Sequence, residues 1–255
     1  MRSQNASIVS AIIALLMITA GNARASDRAP DWVQEEVARV EPLLTAVLGL
    51  KTHPDVILAW QRASVPEGVR IIDAHATDQA VDILLIGAWA EASGVAKRQL
   101  IHNLAHEMAH VWQRQWGTPT EDRLLHEGFA EAIAGDILTQ CGAACGGNPH
   151  LLDLKLRGQC AEALAVGVLA TLDGTEAVYG CGGVLTKSMA DAGHLSPRDL
   201  YQAFARTDRS MQDFLDISET AAGQRFAFSA RTFLTRDHRL AQPSDVIARL
   251  RAGRL

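Results

Sequence analysis

Apolar side chains recur along the chain with two different periods, and a change of period separates predicted helices from predicted strands. From Asp31 to Gly49 apolar residues return every three or four positions, which predicts a helix with Asp31 as its N-cap and a glycine at its end. Three apolar runs rich in β-branched residues then predict the strands of a small sheet; they cover residues 55–60, 69–73 and 81–88. We take the last run as an edge strand, although its pattern fits a fully buried strand equally well.

Helical periodicity returns after the strands and continues to the end of the chain. One helix is predicted from Gln99 to Trp116, and a second from a capping box at residues 118–121 to about Gln140. Later helices are predicted over residues 151–171, 183–192, 197–205, 218–234 and 244–251, with Ser196 and Ser244 as N-caps. The pattern indicates one α+β domain over residues 26–255. Residues 26–117 form an α/β lobe, with a small mixed sheet packed on the first of these helices, and residues 118–255 form a mostly helical lobe.

The first 25 residues have the features of a secretory signal peptide. A positive Arg2 precedes an apolar run from Ile8 to Ala20, and Ala23-Arg24-Ala25 provides a small-x-small cleavage site. The run is shorter than a membrane-spanning helix, so cleavage before Ser26 is favoured over retention as an anchor. The sequence therefore predicts an exported protein, periplasmic or secreted, with no stable membrane insertion after cleavage.

The charge balance argues against polyanionic partners. The chain carries 24 Lys and Arg residues against 29 Asp and Glu residues, a formal net charge of -5 at pH 7. Removal of the signal peptide takes away two arginines and no acidic residue, so the exported part is more acidic still. The sequence has no basic stretch suited to nucleic acid or to an anionic membrane surface. No nucleic-acid partner is therefore expected.

The four cysteines are Cys141, Cys145, Cys160 and Cys181, all in the exported part. An even number of cysteines behind an export signal favours two disulfides over free thiols or a zinc site, because an oxidising compartment consumes thiolates. Three pairings are possible. We favour Cys141 with Cys145, as a short loop at a helix end, and Cys160 with Cys181 as the longer link.

The first long helix contains the motif His106-Glu107-Met108-Ala109-His110. Histidines four residues apart lie above one another on one helix face, so both imidazoles can reach a single metal ion. A catalytic zinc ion takes three protein ligands and keeps one position open, and the motif supplies two ligands with a carboxylate beside them. Glu107 is therefore the candidate general base. A degenerate, metal-free helix is the alternative interpretation.

The second long helix contains the segment Leu125-His126-Glu127-Gly128-Phe129-Ala130-Glu131. Together, the two segments resemble the gluzincin metallopeptidases, the clan of thermolysin and alanyl aminopeptidase, in which a glutamate on the next helix completes the zinc site. The resemblance covers about residues 97–140. It implies a zincin-like fold, zinc as the cofactor and Glu127 as the third ligand, with Asp122 as a rival. Gly128 is expected to leave room for the metal-bearing helix to approach Glu127.

Further residues near these motifs have candidate supporting roles. Glu131, one turn after Glu127, is expected to accept a hydrogen bond from a ligand histidine, as an acidic residue at this offset does in thermolysin-like enzymes. Tyr179 begins a Tyr-Gly-Cys-Gly segment similar to one that supplies an oxyanion-stabilising tyrosine in aminopeptidase relatives; packing beside a disulfide is its alternative role. His102 and His126 are interpreted as hydrogen-bonded or buried histidines rather than catalytic ones.

These features predict an exported zinc metallopeptidase that hydrolyses peptide bonds in a peptide or protein substrate. The expected zinc ligands are His106, His110 and Glu127. Glu107 would take a proton from the activated water, and Tyr179 would stabilise the oxyanion. Two alternatives stay open: a non-catalytic module of zincin-like fold that binds a peptide, and a zinc hydrolase of another amide. The presence of Glu107 argues against the first, because a binding module needs no general base.

Overall fold

Three strands form a sheet in the part of the chain that the computed structural model describes, residues 27–62 and 65–255. They are β1 (Asp55–Gln61), β2 (Arg70–Ala76) and β3 (Ala80–Gly87). β3 is the central strand, parallel to β1 and antiparallel to β2. The prediction of an edge strand over residues 81–88 is therefore wrong, and β2 is the antiparallel edge instead. The alternative of a buried strand holds on one face of β3, where Val81, Ile83 and Leu85 are buried.

Nine α-helices of the described residues make up most of the rest of the fold. Helix α1 (Asp31–Leu48) precedes the sheet, and after it come α2 (Gly94–Arg114), α3 (Arg123–Cys141), α4 (Pro149–Val166), α5 (Gly182–Gly193), α6 (Pro197–Phe204), α7 (Met211–Ala222), α8 (Gln224–Thr235) and α9 (Pro243–Arg251). A π-helical turn over Glu176–Cys181 leads into α5. Helix α2 packs against β2, β3, α1 and α3, so it lies at the centre of the molecule. The mixed sheet and the many helices confirm the predicted α+β class.

Trp89 fixes the point at which the chain passes from the sheet to α2. Its side chain is fully buried and stacks on Trp32 of α1 with ring centroids 6.1 Å apart. The Trp89 indole N–H donates to the Ile71 carbonyl of β2, and the Trp89 carbonyl accepts from the Trp32 indole. Ser93 then caps α2 by accepting from the Ala96 backbone N–H. The start of α2 is thus tied to both α1 and the sheet.

Several predicted helix ends differ from the observed ones for local reasons. The capping box at residues 118–121 does not form, because Asp122 is the N-cap and α3 begins later, at Arg123. The Thr120 hydroxyl donates to the Arg209 carbonyl instead of capping a helix. The long helix predicted over residues 218–234 is two helices, separated at Gly223, which has φ +86°. Ser196 does cap its helix, whereas α9 starts one residue before Ser244, at Pro243.

Both disulfides are present with the favoured pairing. Cys141 is bonded to Cys145 at the end of α3. Cys160 of α4 is bonded to Cys181 of the π-helical turn, so the second bond fastens this turn to a neighbouring helix. Within the described ranges, none of the helices has the length and apolar character that a membrane crossing requires. The predicted signal peptide lies outside the described residues.

Removal of either disulfide is expected to lower stability, and the loss should be larger for the bond that closes the longer loop. The residues of the Cys160–Cys181 pair are 21 apart and those of the Cys141–Cys145 pair are 4 apart. The chain-entropy relation gives about 3 kcal/mol for the longer loop and about 2 kcal/mol for the shorter one. Urea unfolding of the Cys160→Ala/Cys181→Ala and Cys141→Ala/Cys145→Ala variants measures the difference. Thiol counting on the oxidised protein should find no free cysteine, and four alkylatable cysteines would contradict both bonds.

Candidate metal centre

Helix α2 brings the two motif histidines together at a buried position. His106 and His110 are separated by one helical turn, and their Nε2 atoms are 3.1 Å apart. Each residue is only 5 to 6% exposed. Two imidazole nitrogens at this distance need either a ring N–H or a metal ion between them, because two bare lone pairs repel each other.

Helix α3 adds the carboxylate of Glu127 to this pair. One Glu127 oxygen, Oε2, lies 3.1 Å from Nε2 of His106 and 3.1 Å from Nε2 of His110. The three predicted ligands are therefore together, and we call them the His-His-Glu cluster. Asp122, the rival third ligand, is not part of it. Its carboxylate caps α3 instead, accepting from the Leu125 backbone N–H at 3.2 Å.

The spacing and chemistry of the cluster fit a metal ion. Tetrahedral bonds of about 2.0–2.1 Å place ligand atoms roughly 3.4 Å apart, and two imidazoles with one carboxylate are a donor set that zinc accepts. Burial alone would raise the pKa of Glu127, but its hydrogen bonds to both histidines hold that pKa far below its usual range. Burial lowers the pKa of His106, yet Glu127 and the charges of Glu131 and Glu107 outweigh it and raise the value to about 8. Both shifts show that the site favours a bound positive charge.

Glu107 lies beside the cluster on the same helix and is 6% exposed. Burial raises the pKa of its carboxyl group, and the positive charge of His106 and His110 offsets only part of that rise. A carboxylate with a raised pKa is a stronger base than one in water. The residue between the two ligand positions therefore has the chemistry of a proton acceptor.

The second nitrogen of His110 is held by a residue that the sequence analysis did not single out. Nδ1 of His110 lies 2.8 Å from Oε1 of Gln113, whose side chain is fully buried. With Nδ1 as the donor, the Nε2 lone pair of His110 is directed at the cluster. Gln113 follows His110 by three positions on α2, so the helical spacing would have identified it.

Glu131 supports the site differently from the prediction. Its Oε1 is 3.5 Å from Nδ1 of His106, too far for a good hydrogen bond, and that nitrogen has no hydrogen-bond partner. Its Oε2 accepts from Nε2 of His102 at 2.8 Å. Burial would raise the pKa of Glu131, but the charge and hydrogen bond of His102 lower it to about 2. His102 is thus a hydrogen-bonded histidine, as interpreted, and its partner is the ionised Glu131.

His126 stacks on the cluster without joining it. Its ring lies 4.3 Å from the ring of His110, centroid to centroid, and its Nδ1 is buried without a hydrogen-bond partner. Burial and the neighbouring charge of His110 lower its pKa to about 4. The residue is therefore a neutral imidazole at neutral pH, half-buried and packed against His110.

Tyr179 reaches the cluster from the π-helical turn. Its ring centroid is 5.5 Å from that of His106. Burial and the charges of Glu127 and Glu107 raise its pKa well above the usual range. The phenol therefore keeps its proton at neutral pH and can donate a hydrogen bond. The Cys160–Cys181 disulfide, two residues beyond Tyr179, holds this turn against α4.

Two glycines let α3 and α5 cross in close contact beside the cluster. A Cβ atom on Gly128 would lie 2.5 Å from the carbonyl carbon of Gly182. The Thr186 hydroxyl donates to the Gly128 carbonyl at 2.7 Å across the same crossing. The expectation that Gly128 makes room for α2 is therefore wrong, because a different helix lies against it. Gly128 makes room for α5, which continues the turn that carries Tyr179.

A Gly128→Ala substitution is expected to destabilise the protein by more than about 2 kcal/mol. The added methyl group meets backbone atoms rather than a flexible side chain, and such overpacking typically costs about 1–3 kcal/mol or more. Urea unfolding gives the value. Gly158→Ala in α4 is the matched control, because a Cβ there meets nothing within 4 Å and helix propensity should make it up to about 1 kcal/mol more stable. Equal effects of the two substitutions would disprove the close crossing.

The chain matches no protein-family model, and neither a curated protein nor a solved structure is significantly similar to it. The resemblance to gluzincins accordingly depends on the two motifs alone.

Proposed function

We propose that this protein is an exported, gluzincin-like zinc metallopeptidase. The observation that carries the proposal is the convergence of three ligand atoms, 3.1 Å from one another, next to the buried carboxylate of Glu107. The negative charge of Glu107, Glu127 and Glu131 in one buried region favours a divalent cation over a proton. The donor set of two histidines and one carboxylate is typical of catalytic zinc rather than structural zinc.

Bound zinc would supply a Lewis acid that polarises the substrate carbonyl and lowers the pKa of a water molecule towards neutrality. Glu107 would take the proton from that water as it attacks, and would then give the proton to the leaving amine. The raised pKa of Glu107 supports both steps, because a base that is too weak cannot accept the proton and an acid that is too strong cannot hold it.

Tyr179 would donate a hydrogen bond to the oxygen that becomes negative in the tetrahedral intermediate. A tyrosine phenol is protonated at neutral pH, and the Tyr179 ring centroid is 5.5 Å from that of His106. The Cys160–Cys181 bond and the Gly128–Gly182 contact restrict the position of the segment that carries it. Restricting a donor before the reaction begins is what makes such a hydrogen bond effective.

A peptide substrate is proposed from the arrangement of the sheet. β2 is an edge strand and packs on the metal-bearing helix. Among the described residues no other strand pairs with its outer edge, so an extended peptide could add to the sheet there by backbone hydrogen bonds. Export is proposed because two disulfides are compatible with an oxidising compartment.

Metal analysis and peptide cleavage together test the proposal. The mature protein is expected to contain one zinc per chain and to cleave members of a mixed peptide library, with loss of cleavage in a chelator and recovery when zinc is added back. Bound zinc without any cleavage would instead support the non-catalytic peptide-binding module. Cleavage of other amides but of no peptide would support the second alternative.

A further inference from the structure

A cleft of about 520 Å³ lies between the edge strand β2 and the first turns of α2 and α4. Apolar side chains, including Ile72 and Leu152, form part of its wall. Its size is that of a site for a small ligand or a few side chains. The residues that line it decide which chemistry it accepts.

The charged residues that line this cleft are all basic. Arg70, Arg98 and Lys155 line it together with His102, and no acidic residue does. In the described part of the chain none of the three cations forms an ion pair. Nε of Arg70 is buried without a hydrogen-bond partner. Because the chain as a whole has a net charge of -5, this concentration of unpaired cations is a local feature. We call it the cationic cleft.

Helix dipoles add to the positive potential of the cationic cleft. Asn148, the N-cap of α4, and Val95, in the first turn of α2, both line it. The N-terminal end of a helix has a partial positive charge that favours a nearby anion. The basic side chains and the helix N-termini therefore both favour a negatively charged ligand.

His102 connects the cationic cleft to the metal centre. It lines the cleft, hydrogen-bonds to Glu131 at 2.8 Å, and accepts from Nζ of Lys155 at 3.4 Å. His102 is one turn before His106 on α2, about 6 Å along the axis, and Arg98 is about 12 Å before it. An extended peptide advances about 3.3 Å per residue. An extended peptide that ran along α2 would therefore place residues about two to four positions from the scissile bond opposite His102 and Arg98.

We propose that the cationic cleft binds an acidic side chain of the peptide substrate, two to four residues from the bond that is cleaved. This inference rests on the proposed function, because it assigns a specificity to the same active centre. A carboxylate of the substrate would pair with Arg98 and Lys155, while its stem and neighbouring residues would contact the apolar wall. The preferred substrates are therefore peptides with aspartate or glutamate at such a position.

Peptides that differ by a single Glu or Gln test the proposal. Glutamate is scanned through the four positions on each side of a cleaved bond, with glutamine as the isosteric reference. At one or two positions the wild-type protein is expected to have a kcat/KM about fivefold to tenfold higher for the Glu peptide, which 0.5 M NaCl should reduce. The Arg98→Gln/Lys155→Gln variant should lose this preference. Arg225→Gln/Arg249→Gln is the control, since these exposed arginines are outside the cleft.

The outcomes separate the two proposals. Cleavage of Glu and Gln peptides at equal rates at every position would overturn the acidic specificity and leave the peptidase standing. If no peptide is cleaved, the proposed function fails, and fluorescence anisotropy with the same labelled peptides tests the cleft alone. Tighter binding of a Glu peptide, lost in the Arg98→Gln/Lys155→Gln variant only, would support an acidic ligand; equal binding, or tighter binding of an oligonucleotide, would overturn it.

Discussion

A Glu107→Gln variant should keep its metal and lose peptide hydrolysis. Glutamine has nearly the shape of glutamate but cannot accept the proton of the attacking water, so kcat/KM should fall by roughly 10²- to 10⁴-fold. The metal content should stay at one zinc per chain, because Glu107 is not among the three converging ligands. Steady-state cleavage of one fluorogenic peptide and metal analysis of the same preparation provide the two measurements.

Glu121→Gln is the matched control for this substitution. Glu121 is an exposed glutamate in the loop between α2 and α3, so the same chemical change there should leave both metal and rate unaltered. Activity of the Glu107→Gln variant within tenfold of wild type, with zinc bound, would rule out Glu107 as the general base. Loss of zinc from that variant would mean that Glu107 takes part in metal binding.

A Glu127→Ala variant should lose most of its bound zinc, whereas Glu131→Ala should retain it with lower affinity. Glu127 places one oxygen 3.1 Å from both Nε2 atoms, so its removal leaves two ligands. Glu131 has its hydrogen bond with His102 and lies 3.5 Å from Nδ1 of His106. Its removal should weaken zinc binding about 10- to 100-fold by loosening the orientation of a ligand. Zinc titration against a chromophoric chelator measures both.

His102→Ala shows whether Glu131 acts through its own contact with His106. This variant removes the partner that Glu131 hydrogen-bonds and leaves its charge beside His106. If His102→Ala retains wild-type zinc affinity while Glu131→Ala does not, the Glu131 carboxylate itself supports His106. Greater zinc loss in Glu131→Ala than in Glu127→Ala would reverse the two assignments.

The convergence of the two histidines could be predicted from helical spacing, whereas Glu127 was expected only from the resemblance to gluzincins. His106 and His110 share a helix face at any position in a fold, and Glu127 is only one connection away. Gln113 could have been found by the same rule, three positions after His110. The disulfide pairing could also be predicted from the sequence. Cys141 and Cys145 are only four residues apart and can close a short loop, which leaves Cys160 and Cys181 as the remaining pair.

Features that depend on distant parts of the chain could not be predicted. The apolar pattern of β3 is the same for an edge strand and a central strand, and the strand order decides between them. The loop before α3 is held by a hydrogen bond from the Thr120 hydroxyl to the carbonyl of Arg209, 89 residues away. Gly128 was recognisable as a site of close approach, but its partner, Gly182, becomes its neighbour only when the helical lobe packs.

The His-His-Glu cluster comes from two consecutive helices, whereas Tyr179 comes from a much later segment, and this difference affects the entropy of closing each contact. His106 and Glu127 are 21 residues apart. Tyr179 is roughly three times as far from His106, which adds about 1 kcal/mol of loop-closure entropy to their contact. The Cys160–Cys181 bond fastens the Tyr179 segment to α4. The position of Tyr179 beside His106 therefore depends on a distant helix and on a covalent bond, whereas the cluster is built from two neighbouring helices.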